Sequence, residues 1–505
     1  MILEKFAPVL PPAVETDAPL SAAVRFIDAL NQAGVRYCHW KSNLRLADGL
    51  AGRTDLDLLV DRQDEQAFRR ILSEQGFKPL ADAPGKSFPG LEHQLGFDWQ
   101  TGRLIHLHVH FQLVLGEQYV KNYLLPLERQ FLDSVRLVSG VKTPSPELEL
   151  LVLALRALLK YRDRDGIKDI LGIRSPGIPA HIMAELAWLQ EQISPVGFEK
   201  TLTSVSEMIP AEAIREFLAL IQTQPRDGWR LLRLRAAVRR ELRRYQRRGR
   251  SAAAAAYFQA LWRKSGRGER QMGLPGGGKR IALVGVDGSG KTTLSQALTA
   301  WLSWKIDSHL LYLGSKQPSK RSKALYWFFR IARRSQTEIS RRWGSDHLLA
   351  RLAGRVKQRL IAWHYLSIGA DRYRRYRLGE RLAAGGSVVV FDRFPFEAPL
   401  DGPEIGRIAA EDPRRLARAA RREQELYARF QPVELLLLLD TPADVSMQRK
   451  PDHPEEVIEA KHEALTTLKE SLEQPGSPWK WVAVDASRPM EEVLLAAKRA
   501  IWEAL

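Results

Sequence analysis

Apolar positions along the chain recur with two periods, and the period changes from segment to segment. Ser21–Asn31 and Asp64–Gln75 space their apolar residues as helices do. Asp55–Val60 alternates in the two-residue period of a strand. Two more strands are predicted at Gln94–Trp99 and Arg103–Val114, with Thr101 and Gly102 as the turn between them. Pro144-Ser145-Pro146 then opens a helical region, with Ser145 as a cap, and helices are predicted over Glu147–Tyr161 and Pro179–Gln192. Trp229–Arg248 has amphipathic helical spacing, with Trp229, Leu232, Val238, Leu242 and Tyr245 as its apolar positions. Beyond residue 279 short apolar runs alternate with helical patterns. The predicted strands are Arg280–Gly285, Ser308–Leu313, Ser387–Phe391, Glu434–Leu439 and Trp481–Val484. That alternation predicts a parallel sheet with helices on both faces and ligands at the carboxyl ends of the strands.

These patterns give a Pro-rich arm over 1–20, a mixed α/β domain over 21–143 and a helical, Arg-rich region over 144–264. Gly266-Arg267-Gly268 and Pro275-Gly276-Gly277-Gly278 mark a linker over 265–278, ahead of an α/β domain over 279–505. A chain of 505 residues, 45% hydrophobic and 27% charged, can bury two or more ordinary cores. No apolar run reaches the roughly 18 residues of a membrane span, and no signal peptide is expected at the N-terminus. The single cysteine, Cys38, reads as a small buried residue, and its isolation fits a reducing, cytoplasmic setting.

Charge changes the picture more. The formal net charge is +18, and the excess is clustered. Residues 226–250 hold eleven arginines against two acids, and residues 316–381 hold eighteen Lys/Arg against four acids. Such density draws anionic partners: nucleotides, anionic lipid headgroups or, less favoured here, nucleic acid. The stretch 226–250 is expected to be an interfacial helix at an anionic membrane surface.

The candidate chemistry is most specific at Gly285–Thr292. Gly285, Asp287, Gly288, Ser289, Gly290, Lys291 and Thr292 complete a G-x-x-x-x-G-K-[ST] loop between a strand and a helix that opens with Thr293. Its backbone N–H groups would cradle phosphates, Lys291 would reach the β- and γ-phosphates of ATP, and the Thr292 hydroxyl would hold Mg²⁺. A second acid, Asp392, ends the apolar run Val388–Phe391, and Arg393 beside it can pair bidentately with an acceptor phosphate.

With Asp392-Arg393-Phe394, Leu439-Asp440-Thr441-Pro442, Arg449 and the ending Val484-Asp485-Ala486-Ser487-Arg488-Pro489, residues 279–505 resemble the thymidylate kinase branch of nucleoside monophosphate kinases. The resemblance implies a P-loop NTPase sheet of that kind, with ATP and Mg²⁺ as cofactors. It implies Lys291, Asp392, Arg393 and Arg449 as catalytic residues, Asp392 near the acceptor and metal and Arg449 on the lid side. It implies Ser487 and its neighbours beside the adenine. The chain departs from the family after Leu313-Gly314, where a basic insertion replaces the usual monophosphate-binding segment. It departs again after Phe394, and at 450–454, where the lid arginine is missing. The insertion points to a bulkier or more anionic acceptor.

In the first domain, Ser42 precedes Asp55 and Asp57, which project from one face of a strand. Two carboxylates on one face favour a shared Mg²⁺. Residues 20–135 resemble the nucleotidyltransferase-like fold through Trp40-Lys41-Ser42-Asn43 and Asp55-Leu56-Asp57. In that family a third acid lies on a neighbouring strand. Here the matching run reads Ile105-His106-Leu107-His108-Val109-His110, with the histidines sharing a face, able to line the site or bind a transition metal. Asp98 is a candidate substitute for the acid, and His106 joins Ser42, Asp55 and Asp57 as the candidate site.

The expected protein is therefore a P-loop α/β kinase module joined to a smaller nucleotidyltransferase-like module with a helical extension. Three functions stay open: transfer of the ATP γ-phosphate to a nucleoside monophosphate or similar phosphorylated molecule; action on a sugar or lipid-linked intermediate of surface-polysaccharide synthesis; and an ATP-binding regulator at the inner face of the membrane.

Overall fold

Alternation along the early strands builds a five-stranded mixed sheet from β1 (Tyr37–His39), β2 (Leu56–Val60), β3 (Lys78–Leu80), β4 (Leu91–Phe97) and β5 (Leu104–His110), in the order β1-β2-β5-β4-β3. β2 and β5 run parallel and the other neighbours antiparallel. Leu56, Leu58, Val60, Ile105, Leu107 and Val109 face one way. They pack with Phe26 and Ile27 of α1 (Ser21–Gln32) and Phe68 and Leu72 of α2 (Glu65–Glu74). The intervening positions, including Asp55, Asp57, His106 and His108, therefore share the opposite face. The core on that side joins Cys38, Trp40 and Leu59 to α3 (Pro146–Lys160) and the helices that follow it. The computed structural model describes residues 18–505 apart from 84–86, 89, 117–119, 174–176, 224–226, 267–270, 315, 397–406, 413 and 450–454. The expected arm lies outside the described residues except for its last three, and the lid segment 450–454 lies wholly outside them.

The chain divides into two compact units, Met1–Arg270 and Gln271–Leu505. In the first, the run expected as one strand over Arg103–Val114 is two. β5 ends at His110, and Leu113–Leu115 turns away to pair with Tyr123–Leu125. The arginine-rich segment forms α4 (Gly228–Glu241) and a 3₁₀ turn, Leu242–Tyr245. Its apolar stripe is Leu231, Leu234, Val238 and Leu242, all buried in the core, while Trp229 is 71% exposed. The apolar face of this helix is therefore packed inside the unit and is not presented at the surface. The stripe meets other helices of the unit; Trp229 and most of the arginines lie on the exposed side, while Arg235 is buried and paired with Asp163.

The second unit begins before residue 279. Leu274 N donates to Gly386 O at 2.9 Å, Gly278 N to Ala383 O at 2.6 Å and Asp307 N to Met272 O at 2.7 Å. A Cβ at Gly278 would stand 1.8 Å from Ser387 O, so glycine is required there by close approach rather than by flexibility. The second half of the expected linker is thus part of the second unit. Its sheet is wholly parallel. It comprises β6 (Arg280–Gly285), β7 (Ser308–Tyr312), β8 (Val388–Asp392), β9 (Leu435–Asp440) and β10 (Trp481–Asp485) in the order β7-β8-β6-β9-β10. α5 (Lys291–Leu302) follows β6. The basic insertion is a helical hairpin of α6 (Lys320–Trp343) and α7 (Leu348–Ala384). Among the described residues no helix is long and apolar enough to cross a membrane.

Candidate functional site

The phosphate-binding loop grows from the close contact of β6 with β9. A Cβ at Gly285 would stand 2.8 Å from Leu439 O, and Gly288 and Gly290 turn with φ of +85° and +83°. Those angles let the loop curl and start α5 at Lys291. Lys291 is 4% exposed, and its Nζ donates to Gly285 O at 3.0 Å and Val286 O at 2.6 Å. Ser289 is buried, while Thr292 and Thr293 face solvent on the first turn of α5. Asp287 is ion-paired with Lys461.

Asp392 ends β8 beside β6, in register with Leu283, and is buried. Thr292 Oγ1 donates to its Oδ2 at 3.0 Å. A hydroxyl and a carboxylate oxygen meeting beside the loop are hard oxygen donors of the kind Mg²⁺ takes, so the residues fit that ion. Arg393 holds φ of +65°, a left-handed conformation uncommon for a side-chain-bearing residue, and its guanidinium carbon lies 5.8 Å from the Tyr312 ring centre. Arg449 ends the helix Ala443–Arg449 and donates to Ala486 O at 2.9 Å, in the loop after β10.

The sequence reading missed how the insertion is built into this region. Arg372 Nε donates to Leu313 O at 2.9 Å, and Arg375 donates to Tyr312 O at 2.6 Å and Gln317 O at 3.1 Å. Asp371 accepts from Ser319 N at 2.9 Å and Ser322 Oγ at 2.6 Å. These α7 residues clamp the chain leaving β7, at the carboxyl end of the sheet. Spacing alone showed only a basic run.

In the first unit, the face opposite α1 and α2 gathers Asp55 and Asp57 with the histidines. His106 Nδ1 lies 2.9 Å from Asp55 Oδ1, and His108 Nδ1 lies 3.1 Å from Asp57 Oδ1. Lys41 Nζ lies 2.7 Å from Asp57. Burial alone would raise the Asp57 carboxyl, but the Lys41 ammonium, the His108 bond and the nearby His110 ring outweigh it and hold it well below the usual range. Burial first, then repulsion from Lys41, Arg156 and Lys160, pushes the Lys121 ammonium down to about 8. Lys41 and Arg156 also lie 4.9 and 5.7 Å from the Trp40 ring centre. Two acids and four cations thus share one neighbourhood.

Ser42, at φ +60°, turns the chain beside this group. Asn43 ties the turn to α3, since its N and Nδ2 donate to Glu149 at 3.0 and 2.8 Å. Burial pushes the Glu149 carboxyl up to about 7. His110 packs edge-on against Trp40 and burial pushes it down to about 3, so it is a neutral core residue at neutral pH. Asp98 does not replace the missing acid. Its carboxylate accepts from Ser21 Oγ at 2.7 Å, Ala22 N at 3.0 Å and Thr101 N at 2.9 Å, closing the start of α1 and the β4–β5 turn. Burial pushes the Cys38 thiol up, away from reactivity.

The arginine-rich stretch also lines a cleft of about 730 Å³ in the first unit, together with Arg162, Arg164, Asn122 and Tyr257. Arg235, Arg239, Arg240 and Arg243 contribute to it, so the charge read from sequence is gathered into a concavity.

Comparison with known proteins is consistent with the loop. No protein-family model matches the chain. The chain is 30% identical over 235 residues to the uncharacterized ATP-binding protein YghR of Escherichia coli K12, covering 44% of this chain and 86% of that protein. It is 28% identical over 244 residues to the uncharacterized ATP-binding protein YghS of the same strain, covering 45% of this chain and 93% of that one. Among solved structures, deoxyadenosine kinase from M. mycoides with bound dATP is similar at 14% identity and a TM-score of 0.27, covering 44% of this chain and 98% of that one. Through the segment shared with YghR, the chain belongs to the same protein family as that Escherichia coli protein.

Proposed function

We propose that the chain is an ATP- and Mg²⁺-dependent phosphotransferase of thymidylate-kinase type, passing the ATP γ-phosphate to a nucleoside monophosphate or similar phosphorylated small molecule. The observation that carries the reading is the 3.0 Å bond between Thr292 and Asp392 beside a loop curled through Gly288 and Gly290. The loop N–H groups and the start of α5 hold the phosphates. Lys291 exchanges its two carbonyl partners for the β- and γ-phosphates. Thr292 and Asp392 would hold Mg²⁺, which supplies positive charge to the phosphate oxygens. Arg393 orients the acceptor phosphate, and Arg449, which donates to Ala486 O in the base-side loop, is the arginine that neutralises charge on the transferring group. The acceptor oxygen bonds to the γ-phosphorus as the bond to the β-phosphate oxygen breaks, and ADP leaves. Positioning and positive charge supply most of the acceleration in such transfers.

The first unit is, in this reading, a nucleotidyltransferase-like module that binds a phosphate-bearing ligand at Asp55, Asp57 and Ser42, with Lys41, Lys121, Arg156 and Lys160 as its cations. A second reading of the acceptor, a sugar or lipid-linked intermediate, is favoured by the hairpin. Tyr326, Trp327, Phe328 and Trp363 are exposed there among lysines and arginines, a combination suited to an anionic membrane surface on the cytoplasmic side. A screen with labelled ATP tests both. Full chain and residues 271–505 are offered nucleoside monophosphates, sugar phosphates and polyprenyl-linked glycans. Multiple turnover on a nucleoside monophosphate supports the first reading, and turnover only on a lipid-linked acceptor supports the second. ATP binding without turnover on any acceptor refutes the kinase and leaves a regulator.

A further inference from the structure

Beyond that reading, and on the face that also carries Asp55 and Asp57, we propose that His93, His106 and His108 form a binding site for a divalent transition-metal ion on the five-stranded sheet. Strand register makes the site. His106 and His108 share a face of β5 by its two-residue period, and His93 of β4 stands directly opposite His108. One ring nitrogen from each of the three lies within 4.8 Å of the others. His93 Nδ1 and His106 Nε2 face each other at 3.2 Å. An ion with metal–nitrogen bonds of about 2.0–2.1 Å sets tetrahedral neighbours roughly 3.3 Å apart. His108 approaches both rings edge-on, with centroids 4.8 and 4.7 Å away, so its third ring comes from a different direction.

The outer nitrogens point the same way. His93 Nε2 lies 2.9 Å from Asp82 Oδ1, and His106 Nδ1 lies 2.9 Å from Asp55 Oδ1. Each ring that donates its outer N–H to a carboxylate presents a lone pair at its inner nitrogen. With both outer nitrogens donating, two lone pairs would face one another at 3.2 Å, an arrangement that a metal ion or a shared proton relieves. Carboxylate, histidine and metal in series is how proteins orient imidazole ligands and raise their basicity. His108 is held through Nδ1 by Asp57, leaving Nε2, itself 3.6 Å from Asp55 Oδ2, on the metal side. Three imidazoles with a carboxylate at the edge suit Zn²⁺ and its neighbours in the transition series better than Mg²⁺.

The test uses the full, tag-free chain, stripped of metal, with Zn²⁺ as the probe against a chromophoric chelator. Co²⁺ gives a second readout through its visible d–d absorption. The wild-type chain binds one Zn²⁺ and melts at a higher temperature with it. Asp82→Asn, which leaves all three ligands in place, weakens binding about 10–100-fold. His106→Ala and His93→Ala weaken it further and abolish both the thermal shift and the Co²⁺ spectrum, while far-ultraviolet circular dichroism shows them folded. Should the alanine variants fail to fold, Asp82→Asn alone decides. No binding by the wild-type chain, or equal affinity in wild type and Asp82→Asn, overturns the site and leaves the histidines sharing a proton.

Discussion

Asp392→Asn is the sharpest probe of the kinase site, because it removes one charge and keeps the side chain's shape. Asp392 is 1% exposed, and its main chain is fixed from two sides. It lies in register with Leu283 and Tyr312, and its carbonyl accepts from Leu313 N at 2.9 Å. The amide oxygen can still accept from Thr292, so folding stability should move by no more than about 1 kcal/mol. ATP is gripped chiefly by the loop N–H groups and Lys291, so its affinity should fall no more than about tenfold, or roughly 1.4 kcal/mol. Transfer depends on the lost charge more heavily, and a loss of about 10²–10⁴, roughly 2.7–5.5 kcal/mol, is expected. Nucleotide titration gives the first quantity and single-turnover transfer at saturating ATP the second. A cycle with Thr292→Val should show coupling of about 0.5–3 kcal/mol, since the two side chains are in direct contact. Equal losses of binding and transfer, or additive effects in the cycle, would refute the shared role and leave Asp392 as a strand-end anchor.

Three further outcomes follow from the same structure. Lys291→Ala, at a residue whose ammonium now sits on Gly285 and Val286 carbonyls, should cut ADP release by at least about 10²-fold with the fold intact by circular dichroism. Residues 271–505 made alone should be more stable than 279–505 by about 1–3 kcal/mol in urea titration, because the shorter piece loses the three backbone bonds of Met272, Leu274 and Gly278; equal midpoints would return that segment to the linker. Glu149 ionises near 4.5 unfolded and about 7 folded, so the folded state keeps its proton longer and stability falls as pH rises through that window. Glu149→Gln should flatten that limb of the stability profile, which is worth up to about 3 kcal/mol. An unchanged slope would show that the carboxyl is ionised in the fold.

The sheet of the second unit was legible because its three inner strands are near-continuous apolar runs, and the phosphate loop because its chemistry needs glycines at fixed places. The clamp made by Arg372 and Arg375 was not. Both residues spend their charge on backbone carbonyls, and a run of arginines in sequence does not reveal whether its heads face solvent or main chain. For the same reason 226–250 read as an interfacial helix. The spacing marked Val238 and Leu242 correctly as apolar, but Leu231 and Leu234 complete the stripe and bury it, and the arginines between them line a cleft. Gly276–Gly278 read as a flexible linker for a related reason. Glycine serves both freedom and close approach, and only the 1.8 Å that a Gly278 Cβ would leave to Ser387 O distinguishes them.

The first unit shows where period-two reasoning stops. It placed Asp55, Asp57, His106 and His108 on one face without any knowledge of pairing. Register adds what period cannot. The antiparallel match of β4 with β5 brings His93, thirteen positions before His106, to within 3.2 Å of it, and the match of β3 with β4 brings Asp82 to the far side of the same ring. The missing third acid therefore reads differently in space than in sequence. Where that acid was expected, an imidazole stands with one carboxylate against its outer nitrogen and a second imidazole against its inner one. An acid in that place would add a negative charge to a face already holding Asp55, Asp57 and Asp82. A neutral ligand lets the same face take a softer ion and leaves Lys41 to balance Asp57 at 2.7 Å. The substitution is thus a change of donor chemistry, and the zinc titration and the Asp82→Asn variant ask whether the donors are used.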